Sequence, residues 1–218
     1  MKRVQKLKWL MAVLLFLGSS TTSLAQGLKD VFNNSESPLL YLGIDFSKTR
    51  LLDVGNADDI RNRLYGSIND LVIDEPKKYD LKGAFRKSNI NHDLSAVTKN
   101  NAKANLNDII STNSADFNRL KEADINAEVK SLDLSGKEGV GLLFVMEAMR
   151  KEGKKGNAAI WVTFIDLKTK KVLMTERIEA DAKGGFGFRN YWASTIKELI
   201  DEIDSKKYKE WRNRVNNT

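Results

Sequence analysis

The chain has 218 residues, a formal net charge of +7, one histidine and no cysteine. Without cysteine there is no disulfide, no thiolate metal site and no cysteine nucleophile, and a single histidine removes multi-histidine metal sites and histidine relays. Hydrophobic residues make up 41% of the sequence, enough for one substantial core in a chain of this length.

The chain opens MKRVQKLKWLMAVLLFLGSSTTSLAQ. Lys2, Arg3, Lys6 and Lys8 precede an apolar run from Trp9 to Leu17, and small polar residues lead to Ser23-Leu24-Ala25. That order predicts a secretory signal peptide over residues 1–25. The run is too short to span a bilayer core, and no later segment approaches the length a span needs, so no transmembrane segment is expected after cleavage. Cleavage removes four cations and no acid, which lowers the net charge from +7 to +3. The basic composition therefore carries no case for nucleic acid as a partner. The expected product is exported, periplasmic or extracellular, and without a cysteine at the cleavage site it is not a lipoprotein.

Residues 26–37 are polar and aperiodic and read as a loose lead. "PLLYLGIDF", Pro38 to Phe46, alternates Leu40, Leu42, Ile44 and Phe46 with other residues, the period of a strand. Ile60, Leu64, Ile68 and Leu71 then recur at helical spacing between Asp58 and Val72, with Asp58 and Asp59 in the first turn, where the helix dipole favours anions. Asp74 to Asp93 reads as a connection with at most a short turn near Leu81 to Phe85. Leu94 to Ile110 is a further helix candidate, although Asn100, Asn101, Asn105 and Asn107 form helix only modestly, and Phe117 to Leu120 adds a turn.

Ile125, Val129, Leu132 and Leu134 suggest an edge strand. Gly139 to Met149 and Ala158 to Leu167 are nearly continuous apolar runs of the kind found in strands covered on both faces. Polar hairpin turns at Arg150 to Asn157 and Asp166 to Lys171, with a last strand over Val172 to Ala180, complete a three-strand meander. Trp192, Ile196, Leu199 and Ile203 form the inward stripe of a C-terminal helix. The basic aromatic segment 206–218, with Lys206, Lys207, Lys209, Tyr208 and Trp211, reads as a solvated helix end able to touch an anionic surface or a partner. The order predicts one α/β (α+β) domain over residues 38–205, with helices packed on a mostly antiparallel sheet.

Little in this chain resembles a catalytic constellation. His92 sits in a polar loop between Ser88 and Ser95, and there is no G-x-S-x-G elbow. Paired carboxylates could support glycan hydrolysis, and Asp45, Glu147 and Asp166 are the candidates within strands, each with a structural alternative at a strand end or in an ion pair. No catalytic residue, metal ligand or cofactor is assigned. Lys151, Lys154 and Lys155 lie in one hairpin and Lys168, Lys170 and Lys171 in the next, at opposite ends of a meander, so they do not form one phosphate track.

The densest functional candidate is "KGGFGFRNYW", Lys183 to Trp192. It lacks the third glycine of G-x-G-x-x-G and the Lys-Ser/Thr ending of a P-loop, which argues against a nucleotide. Gly184, Gly185 and Gly187 read as the hinge from strand to helix, where positive φ is needed. Phe186, Phe188, Arg189 and Tyr191 are the candidate binding residues. A small anion at the 184–189 turn, held by backbone N–H groups beside Arg189, is an alternative.

The block from Ala158 to Ile200, with "AAIWVTFIDLKTKKVLMTERI" followed by "GGFGFRNYW" and a terminal helix, resembles a family of uncharacterised exported proteins of Gram-negative bacteria. More distantly, the first strand and the strand-turn-strand-glycine-helix ending are similar to the periplasmic domain of the curli-assembly protein CsgG, the penicillin-binding-protein activator LpoB and the TolB N-terminal domain. That resemblance implies an anticodon-binding-like fold and a non-catalytic role in envelope assembly through contact with an envelope protein. Pore formation and lipid anchoring do not carry over, because neither a lipoprotein cysteine nor pore-forming hairpins are present.

Overall fold

The computed structural model describes residues 27–217, so the expected signal peptide lies outside the described residues. A six-stranded mixed sheet, five strands in the order β3-β1-β4-β5-β6 with β2 pairing β4 off that path, forms the middle layer of a single α/β domain. The long antiparallel meander is β4 (Val140–Glu152), β5 (Lys155–Asp166) and β6 (Lys171–Asp181). β1 (Leu39–Asp45) runs parallel to β4 and to the two-residue β3 (Asn91–His92), and β2 (Arg50–Leu52) continues the line of β1 against β4.

Alternation along β4 distributes its apolar side chains between two cores. Leu142, Phe144 and Met146 face one core and Leu143 and Val145 the other, which is why the sequence shows a continuous apolar run. The larger core lies under α1 (residues 27–33), α2 and α7. α2 runs through Ala57–Asp59, a π turn at Ile60–Leu64 and Tyr65–Asp74, and its buried Ile60, Leu64 and Ile68 are the predicted stripe. Short α3 (Leu81–Ala84) follows, capped by the Asp80 carboxylate, which accepts from Gly83 N at 2.8 Å. The smaller core on the opposite face is closed by α4 (Ser95–Asn101) and α6 (Glu122–Ser131), whereas α5 (Leu106–Ile109) contributes Ile109 to the larger core.

α7 spans Gly187–Glu202, a second π turn at Ile203–Lys207 and Tyr208–Asn216. The segment expected to be a solvated tail therefore returns to the core. Trp211 is fully buried against Phe85 and Phe164, and its indole N–H donates to Glu176 at 2.9 Å. The loose lead likewise contributes α1, whose Val31 and Phe32 are buried, with the Phe32 ring 5.3 Å from Phe164. Both segments are ordered by the same aromatic cluster, which neither could form alone.

Two expectations need correction. The edge strand expected at Ile125 to Leu134 is instead helix α6 followed by a loop. Ile125, Val129 and Leu132 are spaced four and three apart, a helical period, and Asp124 accepts from Lys121 N at 2.8 Å to cap the first turn. The expected helix over Leu94 to Ile110 is split into α4 and α5, with Asn105 capping the second piece through Asn107 N.

β1 has an unusual edge. β3 pairs with it only at Leu40 and Tyr41, and a bulge follows between Tyr41 and Gly43. Gly43 has φ +97°, and a Cβ there would come within 2.7 Å of Leu94 and 2.8 Å of the Asn69 amide, so no other residue fits. Beyond the bulge two buried asparagines replace a strand. Asn69 accepts from Ile44 N at 2.7 Å and donates to Ile44 O at 2.9 Å, and Asn101 accepts from Phe46 N at 2.6 Å and donates to Ile44 O at 3.1 Å. Buried backbone groups that lack a ladder partner are satisfied this way.

Candidate functional site

The turn between β6 and α7 is pinned at both ends. Ala182 N donates to Gly156 O at 2.7 Å, and Lys183 N donates to the Ser194 hydroxyl at 3.0 Å. Gly184, Gly185 and Gly187 have φ of +114°, +131° and +77°. At Gly185 the restriction is also steric, because a Cβ would sit 2.6 Å from the Asn190 backbone. This geometry holds Phe186 out into solvent, 97% exposed.

The four candidate binding residues do not form one aromatic platform. Phe186 and Arg189 point outward, with Arg189 Nε donating to the Asn190 side chain at 3.1 Å. Phe188 and Tyr191 are half-buried against Trp192, their rings 6.3 and 5.1 Å from it. Tyr191 also packs on Gly156 of β5 and lies beneath the Lys151 ammonium, 5.4 Å from its ring centre.

Val54, 88% exposed, is the other large exposed hydrophobic among the described residues. It lies at the same end of the sheet, because β2 leaves the sheet with Leu52 opposite Arg150, and Asp53 reaches Lys151 at 4.0 Å. The β4–β5 hairpin between the two carries Lys154 and Lys155. Neither these lysines nor Arg189 forms an ion pair among the described residues.

The three strand carboxylates proposed for hydrolysis are not brought together as a catalytic pair. Asp166 accepts from Thr169 N at 2.7 Å and from its hydroxyl at 2.6 Å, closing a hairpin turn. Glu147 is fully buried and takes hydrogen bonds from Trp161 Nε1, Arg177 Nε, Arg119 N and Leu120 N. Four donors, one of them a guanidinium, satisfy both oxygens and hold the 117–120 segment onto the sheet. His92 is exposed on β3.

Asp45 differs from these two. It is fully buried at the end of β1 and accepts from Ser47 N at 2.7 Å and from Asn100 Nδ2 at 2.8 Å. The same Asn100 amide nitrogen donates at 2.5 Å to Glu128 of α6, which also accepts from the Ser47 hydroxyl at 3.0 Å. Burial, then the charge of Glu128, pushes the Asp45 carboxyl up to about 6, against the pull of its hydrogen bonds from Ser47 and Asn100. Glu128 and Asn100 line a cleft of about 680 Å³, together with Lys48, Lys103, Arg119, Arg50, Asp108 and Asp124, and Asp45 lies buried behind them.

Sequence reasoning found Asp45 but missed Asn100 and Glu128. A usable signal was present: with residues 122–131 in helical register, Glu128 falls on the apolar stripe of Ile125 and Val129, where an acid is out of place. The carboxylates do not flank an open gap as a glycosidase pair does, because the Asn100 amide lies between them and bonds to both. Among the described residues no three His, Cys, Asp or Glu gather to hold a metal ion, and no helix is long and apolar enough to cross a membrane. Comparison with protein-family models and with curated proteins returned no match to this chain.

Proposed function

We propose that this chain is an exported, non-enzymatic binding protein of the cell envelope that docks a protein partner through the sheet end carrying Phe186 and Val54. One observation carries the reading: among the described residues both large hydrophobic side chains left exposed lie at that end, and Phe186 is held there by a turn that only glycines can form. An exposed apolar side chain on a rigid support loses little conformational freedom on binding, which is what a recognition anchor requires. Lys154, Lys155 and Arg189 around it suit a partner with an acidic rim. The role of Glu147 and Asp166 in holding local structure supports a binding role over hydrolysis, since both are consumed by intramolecular donors.

The test is a photoreactive phenylalanine analogue placed at position 186, at position 54, and at position 168 on the opposite end of the meander. Crosslinking in intact cells is expected to return the same envelope protein from 186 and 54 and not from 168, with capture from 54 lost in Phe186→Ala. Equal capture from all three positions, or none from 186, overturns the proposal.

A further inference from the structure

The cleft between β1, α4 and α6 is independent of that docking surface and carries its own inference. Its floor keeps two hydrogen-bond acceptors open. Asn100 and Glu128 are 8% and 7% exposed, yet among the described residues nothing donates to Asn100 Oδ1 or Glu128 Oε2, although their neighbouring atoms are fully engaged. Neither oxygen is among the fully enclosed unpartnered atoms, so both face the cleft, where a donor from a ligand takes the place of water. Behind them Asp45 adds a second carboxyl with no cation paired to either acid. This floor favours a ligand that donates several hydrogen bonds and carries positive charge.

The rim has the opposite character. Lys48 and Lys103 line the opening, both exposed and without an ion pair among the described residues. Arg119 spends one guanidinium nitrogen on Lys48 O at 2.6 Å and keeps a buried Nε with no partner. The other charged lining residues are engaged, Arg50 with Asp108 at 3.5 Å and Asp124 by Lys121 N, so a simple cation meets two unpaired lysines on entry and a simple anion meets the acids at the floor. Only a molecule with both charges, separated by a few bonds, is attracted at both levels. The cleft volume falls within the range of small-molecule sites.

We infer that this cleft binds a small zwitterion of the amino-acid or dipeptide class, its ammonium group on Glu128 and Asn100 and its carboxylate toward Lys48 and Lys103. The ammonium group supplies the donors that Oε2 and Oδ1 lack, and its charge offsets the Asp45–Glu128 repulsion. The carboxylate takes the place of the counterions that Lys48 and Lys103 otherwise hold.

The test is calorimetric titration of the mature protein with the common α-amino acids and with glycylglycine, each alone, near neutral pH. At least one is expected to bind with a Kd of about 1 mM or tighter. Acetylating the amine of that ligand should weaken binding about tenfold or more, and amidating its carboxylate should weaken it by a smaller factor. Glu128→Gln should reproduce the first loss, and Lys48→Ser combined with Lys103→Ser the second. If Glu128→Gln fails to fold, the acetylated and free ligands on the wild-type protein still decide the matter. No ligand reaching about 1 mM, equal binding of the acetylated form, or binding of calcium chloride in place of the zwitterions each overturns the inference.

Discussion

Glu147 and Asp45 lie on adjacent strands of the same sheet, and Asp45 is linked through Asn100 to Glu128 of α6, yet the surroundings of these two centres treat negative charge in opposite ways. Glu147 sits in the bulge of β4 between Met146 and Ala148 and is met by an arginine, an indole and two backbone N–H groups. Asp45 lies opposite Val145 of the same strand and shares one side-chain amide with a second acid, with no ion pair to a cation among the described residues. The first centre is closed: every donor it needs is internal, so it fixes geometry and has nothing left to offer a ligand. The second is under-compensated, and an under-compensated buried charge beside a cleft is the arrangement that can respond to an added cation or proton.

That contrast can be broken by substitution. Glu147→Ala should have the largest effect, a loss of about 3–5 kcal/mol in urea denaturation, because it leaves Arg177 Nε, the Trp161 indole N–H and the backbone N–H groups of Arg119 and Leu120 without their acceptor. A loss below about 1 kcal/mol would mean that water replaces the carboxylate and the centre is not closed.

Asp45→Asn should act in the other direction. The Asp45 carboxyl holds its proton more tightly folded than unfolded, since its value rises from 3.8 to about 6. Its contribution to stability is therefore present below about pH 4 and lost as pH climbs through about 6. Asparagine does not ionise, so the variant should gain up to about 3 kcal/mol relative to wild type at pH 8, with little gain at pH 4. Denaturation midpoints at the two pH values test this, and a pH-independent difference would show that the pair does not share its charge.

Asn100→Ala removes the amide between the carboxylates and should cost about 2 kcal/mol, with the cost growing as pH rises and the Asp45 carboxyl ionises. At the rim, Lys48→Ser should change stability by no more than about 0.5 kcal/mol, because the side chain is exposed and holds no ion pair among the described residues. A larger change would place Lys48 in the compensation of the acid pair and narrow the contrast between the two centres.

Much of the fold could be read from local pattern. β4 and β5 declare themselves as apolar runs because both of their faces are covered, and the helical stripes of α2 and α7 survive the π turns within them. The 125–134 segment imitates a strand because its loop residues Leu132 and Leu134 are two apart, while the spacing of Ile125 and Val129 marks a helix. The cleft was less legible for a different reason. Its parts are distant in the chain, with Asn100 separated from Asp45 by 55 residues and from Glu128 by 28, and an asparagine doublet carries no periodic signal. The outward direction of Phe186 was equally hidden, since composition cannot distinguish a ring that fills a seam from one that stands clear of it.

The asparagines along β1 also bear on how this protein opens. The Ile44 and Phe46 amides are held by Asn69 of α2 and Asn101 of α4 rather than by a strand. Their hydrogen exchange should therefore report undocking of those two helices, one on each face, and not fraying of the sheet. A central strand thereby becomes a reporter of whether both helical layers are seated, and the three layers are expected to exchange as one cooperative unit.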